Sequence, residues 1–385
     1  MDRRGFVTSG MAAGLAGFSG ASGVLGPLLD GTSRGLPHSW DTRGPLPDGS
    51  IKLSSNENPL GLSPAARRAV VEAIDHANRY PHDYRGALYD ELARYLQVDR
   101  NTLVLGAGST EVLQASVQAF TGPGVPLVVA EPTFEDVPRY QRPFPYEMVA
   151  VPLDRRLAHD VGRMREAAEA GGRPAVVYFC NPNNPTGTPT PADEIDAWIA
   201  DAPDTTVFLM DEAYFEYADD PAYRSALPWI QRKRNVVVVR TFSKIFGMAG
   251  LRLGYGVAHP DTAARLQEFI VQNNPNVLAN AAALASLADH ELVPRSVGVN
   301  DEAKAIAAAT LDELGLEYLP TQANFLMHRI NGDLRQYIGR MADAGVRVGR
   351  PFPPMLEWNR LSFGLPDEMD RWAATLKDFR GKGWV

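Results

Sequence analysis

One short segment of the chain carries the residue types that bind a phosphorylated aldehyde. Lys244 follows two hydroxyl side chains, Thr241 and Ser243, and Arg252 comes eight positions later. A lysine amine condenses with an aldehyde to give a Schiff base, while hydroxyl donors and a planar guanidinium bind a phosphate. The segment therefore predicts a covalent anchor at Lys244 beside a phosphate-binding set, the combination that holds pyridoxal phosphate.

The run before this segment places it at the edge of a sheet. Residues 235–240 (NVVVVR) are mostly apolar and β-branched, which is typical of a buried parallel strand. Two further apolar runs, 175–180 and 206–210, end in the polar segments NPNNPTG (from Asn181) and DEAY (from Asp211). Open α/β sheets bind ligands at the carboxyl ends of their strands, so we expect the three segments to meet there.

The rest of the chain alternates strands and helices, which predicts a mostly parallel, doubly covered α/β sheet with right-handed crossovers. Besides the three runs above, strands are predicted at 103–106, 126–130, 147–153 and 251–258, and helices at 109–120 and near 276–290. In the residues that follow, the pattern predicts the order helix, strand, strand, helix, strand, strand, helix. We assign 78–285 to a large cofactor-binding domain, and 51–77 with 286–385 to a smaller α+β domain.

A glycine-rich turn offers a second phosphate contact. The sequence GAGSTE, at 106–111, joins a predicted strand to a predicted helix. The backbone N–H groups around Gly108, Ser109 and Thr110 would then face an anion at the positive end of the helix. We expect this turn to complete the phosphate site.

The order of these motifs resembles that of fold-type I aminotransferases, and within them the histidinol-phosphate aminotransferase-like group. The matches begin at the motif NENPLG, which starts at Asn56, and continue to Arg360. The resemblance implies pyridoxal 5′-phosphate as cofactor. Its substrates would be an amino acid or amino-alcohol phosphate as donor and a 2-keto acid as acceptor.

The resemblance also assigns roles around the cofactor ring. Asp211 would hold a proton on the ring nitrogen, while Asn184 and Tyr214 would donate hydrogen bonds to the phenolic oxygen. Phe134 would stack on the ring. Tyr80 matches a tyrosine that reaches across a homodimer interface to the neighbouring subunit's cofactor phosphate.

Three residues are assigned to the substrate. Arg360 matches the arginine that binds the α-carboxylate, and Asn58 belongs to the NENPLG motif on the substrate side. Arg350 lies near the position of an arginine that binds a substrate phosphate, and it aligns only to within a residue or so. Lys244, freed by the incoming amine, would act as general base and move a proton from Cα to C4′, giving ping-pong kinetics.

Two other hypotheses about the function remain. The first is a different reaction on the same scaffold, such as that of threonine-phosphate decarboxylase, because fold and anchor residues do not separate the two. The second is a non-catalytic cofactor-binding module, as in some transcription regulators. No basic or helix-turn-helix segment precedes the domain, and the formal net charge is −8, which argues against nucleic acid as a partner.

The sequence indicates neither a metal site nor a disulfide bond. The single cysteine, Cys180, excludes an internal disulfide, and we expect it to be a buried, inert thiol at a strand end. The histidines lack the spacing of a metal site.

The N-terminal segment differs from the rest. Arg3 and Arg4 precede the apolar stretch 11–29, which is free of charge and rich in glycine and alanine. We interpret residues 1–30 as a twin-arginine export signal and 31–50 as a linker or arm. The protein would then engage the twin-arginine translocase and be periplasmic or exported, or cytoplasmic if the signal does not function. A disordered extension and an ordinary secretory signal are the alternatives.

Overall fold

The computed structural model describes residues 49–140 and 146–385, which belong to one compact unit. The predicted export signal, with Arg3 and Arg4, lies outside the described residues, as does most of the predicted linker. None of the described helices is long and apolar enough to cross a membrane.

The elements follow one another along the chain in this order: β1 (Ile51–Leu53), α1 (Pro64–Ala73), α2 (His82–Leu96), β2 (Leu103–Gly106), α3 (Ser109–Phe120), β3 (Leu127–Glu131), α4 (Asp136–Arg139), β4 (Met148–Pro152), α5 (Val161–Glu169), β5 (Ala175–Cys180), α6 (Ala192–Asp201), β6 (Thr206–Asp211), β7 (Val236–Thr241), β8 (Gly254–Ala258), α7 (Pro260–Gln267), α8 (Val277–Leu287), α9 (Leu292–Leu314), β9 (Phe325–Arg329), α10 (Leu334–Asp343), β10 (Val346–Val348), β11 (Trp358–Ser362) and α11 (Pro366–Gly381).

A seven-stranded sheet forms the centre, with the order β2-β8-β7-β6-β5-β3-β4. All pairs are parallel except those of β8, which runs antiparallel to both neighbours. This confirms the predicted mostly parallel sheet. In the register of this sheet Cys180 pairs with Asp211, and Asp211 with Val239, so the carboxyl ends of β5, β6 and β7 lie side by side.

Both faces of the sheet are covered by apolar side chains. The valines of β7 alternate, with Val236 and Val238 in one core cluster and Val237 and Val239 in the other. This is the two-residue period of a strand buried on both sides. Cys180 is buried in the second cluster, as predicted.

A separate core lies between α9, α10, α11 and two small sheets. The sheets are the parallel pair β1 and β10 and the antiparallel pair β11 and β9. Their shared cluster includes Leu53, Leu326, Trp372 and Phe379. One predicted strand is missing here, because the segment between α9 and β9 contributes only an isolated bridge from Tyr318 to His328.

The strand predicted at 251–258 is shorter than expected. A 3-10 turn occupies Ala249–Leu251, and the strand begins only at Gly254. Arg252 adopts φ +59° between them, and this left-handed conformation turns the chain and interrupts strand pairing. The predicted domain boundaries stay a prediction; α1, which we assigned to the small domain, packs against α8 of the predicted large one.

Candidate active site

The loops after β5, β6 and β7 bring the predicted polar residues together. In the first loop the asparagines before Asn184 hold the turn: Asn181 accepts from Thr190 N at 2.9 Å, and Asn183 accepts from the Thr133 hydroxyl at 2.9 Å. The Asn184 side chain bonds to two residues from other parts of the chain, Tyr214 after β6 and Arg360 on β11.

Asp211 closes β6 and is 3% exposed. One carboxylate oxygen accepts from the Tyr178 hydroxyl at 2.9 Å, and the other accepts from Ala213 N at 3.2 Å. Burial raises the pKa of Asp211 to about 6, against the hydrogen bond from Tyr178, which lowers it. Above pH 6 the group is therefore a fixed carboxylate able to hold a proton on a ring nitrogen.

Lys244 follows β7, with its Nζ 5.7 Å from the centroid of the Tyr214 ring. Burial, together with the nearby Arg360 guanidinium, lowers the pKa of Lys244 to about 8. Asp211 opposes this shift. A lysine with such a pKa has a much larger neutral fraction near physiological pH than an ordinary lysine, and the neutral amine is the form that attacks an aldehyde.

Tyr214 is buried, and its hydroxyl accepts from Asn184 Nδ2 at 3.4 Å and from Asn56 Nδ2 at 3.1 Å. Asn56 is in turn fixed by Ser362, whose hydroxyl donates to the Asn56 side chain at 2.7 Å and accepts from its backbone N–H at 2.8 Å. Burial raises the pKa of Tyr214, so the hydroxyl stays protonated and can donate.

Arg360 on β11 is 7% exposed and is tied to the same network. It donates to Asn184 Oδ1 at 2.8 Å and to the Ser54 carbonyl at 2.9 Å. Its guanidinium carbon lies 4.5 Å from the Phe352 ring centroid and 5.5 Å from that of Phe325. The arginine is thus held rigidly beside the residues predicted to contact the cofactor ring.

Four predicted residues form an anion cup, which we define as Gly108, Ser109, Ser243 and Arg252. Arg252 Nη1 lies 3.4 Å from the Ser243 hydroxyl. A Cβ atom added to Gly108 would overlap the Arg252 guanidinium, so the first turn of α3 meets the arginine directly. The helix starts at Ser109 and has no side-chain cap, which leaves its N–H groups available to an anion.

The other predicted ligands lie elsewhere or have other contacts. The Thr241 hydroxyl accepts from Ser243 N at 3.0 Å and so shapes the turn. Thr110 offers its carbonyl to the Tyr140 hydroxyl at 3.1 Å. Phe134 is partly buried against the core cluster of α3, and Tyr80 is 73% exposed.

The two other residues assigned to the substrate, Asn58 and Arg350, already bond to other residues of the protein. The Asn58 amide donates to the Ile245 carbonyl at 2.7 Å and to the Ser296 hydroxyl at 3.0 Å, so it fastens the NENPLG segment. Arg350 is paired with Glu135 at 2.6 Å.

Sequence reasoning did not identify Asn56, Tyr178 or Ser362. Asn56 is the first residue of the NENPLG motif, so the sequence did contain a signal for this residue. Tyr178 and Ser362 sit within strands, where nothing in the sequence separates them from other strand residues.

These residues fit pyridoxal phosphate. The anion cup suits its phosphate, Lys244 its aldehyde, Asp211 its ring nitrogen, and Tyr214 with Asn184 its phenolic oxygen. The glycine at position 108 leaves space beside Arg252 that a side chain would fill.

Comparisons with known proteins agree with the fit of these residues to pyridoxal phosphate. The model of the family "Aminotransferase class I and II" matches residues 48–376. Histidinol-phosphate aminotransferase of Halalkalibacterium halodurans is 36% identical over 332 residues, 85% of this chain and 88% of the relative. That of Moorella thermoacetica is 39% identical over 299 residues, 77% of each chain.

Solved structures show the same fold. Histidinol-phosphate aminotransferase from Sinorhizobium meliloti, in complex with pyridoxal-5′-phosphate, has a TM-score of 0.81 and 27% identity, covering 86% of this chain and 91% of that one. L-threonine-O-3-phosphate decarboxylase from Porphyromonas gingivalis has a TM-score of 0.75 at 24% identity, covering 86% and 99%, and shares the fold. The chain belongs to the class I and II aminotransferases, and it is an enzyme that uses pyridoxal 5′-phosphate.

Proposed function

We propose that this aminotransferase moves an amino group between a donor of the histidinol-phosphate type, an amino acid or amino-alcohol phosphate, and a 2-keto acid. Two relatives that match most of the chain are both named histidinol-phosphate aminotransferase, and this shared name supports the proposal. The observation that carries the proposal is Arg360, a buried guanidinium joined through Asn184 to Tyr214. A carboxylate bound by Arg360 would be held in a fixed position relative to the cofactor ring.

The residues divide the work of transfer. Lys244 takes the proton from the donor's Cα and returns one in the second half-reaction, which its lowered pKa allows near neutral pH. Asp211 would hold the ring nitrogen protonated, and Tyr214 and Asn184 would donate hydrogen bonds to the phenolic oxygen. When bound, pyridoxal phosphate supplies the electron sink for cleavage of the Cα–H bond. Arg360 orients that bond by holding the carboxylate of an amino-acid donor, or the phosphate of an amino-alcohol phosphate, which has no carboxylate.

A two-substrate assay tests the proposal. Histidinol phosphate and a panel of amino acids would be offered with and without 2-oxoglutarate or pyruvate, and keto product and carbon dioxide measured. Transfer requires the acceptor. Release of carbon dioxide without an acceptor would instead establish a decarboxylase.

Arg360 variants sharpen this test. Arg360→Ala should lower kcat/KM for a keto-acid acceptor by an amount equivalent to about 2 to 5 kcal/mol, because it leaves a carboxylate without its partner in a largely dry pocket. Arg360→Lys keeps the charge but not the two-pronged geometry and should fall between. Cofactor absorbance should stay normal in both variants. An unchanged kcat/KM for the acceptor would remove Arg360 from the substrate site.

We also propose that two copies form a homodimer with shared sites. The support is the exposed ring of Tyr80, which follows the exposed apolar side chains Val71 and Ile74. An interface between two copies would remove these exposed apolar groups from water.

Export through the twin-arginine route is the third proposal, and it is supported by Arg3 and Arg4 before an uncharged apolar stretch. That route carries folded proteins, so the cofactor could be loaded before export. Replacing both arginines with lysine should retain the protein in the cytoplasm with its activity intact, as measured by fractionation. Unchanged export of this variant would mean that the segment is a different signal or none.

A further inference from the structure

A residue that the proposed reaction does not use holds the arginine next to Arg360. Glu135, just before α4, makes a two-pronged ion pair with Arg350 in the loop between β10 and β11. Oε1 lies 3.0 Å from Nη1, and Oε2 lies 2.6 Å from Nη2. The side chains of Arg350 and Glu135 are 24% and 28% exposed, so solvent screens the pair only in part.

Arg350 and Arg360 are neighbours across one aromatic ring. The guanidinium carbon of Arg350 lies 4.1 Å from the centroid of Phe352, and that of Arg360 lies 4.5 Å from it. Phe352 is buried and cannot move aside freely. A substrate whose carboxylate is bound by Arg360 would therefore bring a second anionic group, if it has one, within reach of Arg350.

The helix that follows Glu135 also borders the anion cup. Burial raises the pKa of the Asp136 carboxyl on α4, and the charges of Arg139, Arg350 and Arg252 oppose that shift. Directly after α4, the Tyr140 hydroxyl bonds to the first turn of α3. Glu135 thus connects the border of the cofactor phosphate site to the loop that carries Arg350.

Breaking the pair would leave neither partner isolated. Glu135 Oε2 also accepts from Arg139 Nη2 at 3.0 Å, a bond within its own segment. Arg350 also donates to the Pro351 carbonyl at 3.0 Å and keeps its contact with Phe352. The usual penalty for orphaning a charge is therefore reduced, which lets the pair exchange partners.

We propose that Glu135 is a specificity-determining residue that serves as a substitute anion for Arg350. It neutralises Arg350 when the bound substrate has no second anionic group and yields to a carboxylate or phosphate when the substrate has one. One site can then accept both kinds of substrate in the two half-reactions. The inference rests on the proposed function, since it places a substrate carboxylate on Arg360.

The test measures binding to the cofactor-loaded protein by titration calorimetry. Glutarate carries two carboxylates and butyrate one, and neither reacts. Glutarate must compete with Glu135 for Arg350, so its apparent affinity is reduced by the fraction of Arg350 that is occupied. Glu135→Gln should lower the Kd of glutarate about tenfold, the size expected for loss of a partly buried competing pair. The Kd of butyrate should change less than twofold.

Two further variants separate competition from general charge. Glu135→Asp keeps the charge but shortens the side chain, so it should also tighten glutarate binding. Asp136→Asn removes one charge from the residue next to Glu135 without freeing Arg350, and it should change the Kd of glutarate much less than Glu135→Gln does. Equal effects of Glu135→Gln and Asp136→Asn, or no effect of either Glu135 variant, would overturn the inference.

Kinetics provide a second readout. In Glu135→Gln the KM for 2-oxoglutarate should fall while that for pyruvate stays constant. If the wild-type protein transfers no amino group with any donor, the proposed function fails, and the glutarate titration still decides the role of Glu135.

Discussion

At the scale of single residues, burial shifts two titrating groups in opposite directions. It lowers the pKa of Lys244 to about 8 and raises that of Asp211 to about 6. Both charged forms lose solvation, so the base form of the lysine and the acid form of the aspartate gain population. Between pH 6 and 8 the aspartate is mainly ionised, while the lysine remains mainly protonated with a neutral fraction that grows as the pH rises.

The lysine shift predicts the pH dependence of cofactor capture. The neutral amine is the nucleophile and exists above the pKa, so the rate at which apoprotein binds pyridoxal phosphate covalently should rise with pH through a midpoint near 8. Stopped-flow absorbance measures this rate. Arg360→Ala should move the midpoint upward, because Arg360 contributes to the lowering. Lys244→Ala should show neither the absorbance band nor turnover; turnover in that variant would refute the anchor.

Asp211→Asn keeps the shape of the side chain and removes its charge. We expect the cofactor to remain bound, while the rate falls at least a hundredfold, equivalent to about 2.7 kcal/mol of lost transition-state stabilisation. Steady-state kcat with cofactor occupancy measured in parallel checks this. Tyr178→Phe removes only the bond to Asp211 and should cost less. A nearly normal kcat in Asp211→Asn would mean that another group protonates the ring nitrogen.

At the scale of elements, the anion cup depends on how closely α3 approaches the β7–β8 loop. A Cβ on Gly254 would overlap the backbone of Ser109, and one on Gly108 would overlap Arg252. Gly108 also adopts φ +84°, which residues other than glycine rarely adopt. The glycines thus set the distance between the helix terminus and the arginine.

Gly108→Ala should therefore weaken cofactor binding while leaving the sheet intact. The new methyl group displaces the Arg252 guanidinium, and the left-handed backbone adds a strain of about 1–2 kcal/mol. We expect the Kd for pyridoxal phosphate, measured by absorbance titration, to rise at least tenfold, equivalent to about 1.4 kcal/mol. Gly122→Ala, just past the other end of α3 and with no neighbour near its Cβ position, is the control. Equal Kd values for the two variants would contradict this account.

At the scale of the whole molecule, the proposed homodimer assigns a role to the exposed Tyr80. Its side chain is 73% exposed, and Val71 and Ile74, earlier in the chain, are 61% and 53% exposed. An interface between two copies would remove such apolar groups from water. The proposed homodimer would place each Tyr80 at the cofactor phosphate of the partner, in an interface that uses the same surface on both copies.

Subunit mixing tests this arrangement. Tyr80→Ala should bind the cofactor more weakly, and Lys244→Ala should be inactive. A co-expressed heterodimer of the two has one site with an intact lysine from one copy and an intact tyrosine from the other. That site should recover wild-type cofactor affinity. Activity equal to the average of the two parent variants would show that Tyr80 does not act across the interface.

The sequence by itself determined the mostly parallel sheet and the places where β5, β6 and β7 end. Runs of apolar, β-branched residues form buried strands wherever they meet a core, and polar motifs after them emerge at one edge. The places of Asp211, Asn184, Tyr214 and Lys244 follow from that local rule. The sequence pattern did not predict where β8 begins, because the left-handed backbone of Arg252 does not change the spacing of apolar residues. For the same reason it did not show that the segment after α9 forms only an isolated bridge and not a strand.

Only the tertiary structure decided which side chains bond to one another across the chain. It placed Asn56, and not Asn58, on Tyr214, and it paired Arg350 with Glu135 across 215 positions. Such pairs depend on how the β10–β11 segment packs beside the large sheet. That packing is set by the buried volumes of two cores, and no spacing of residues along the sequence encodes it.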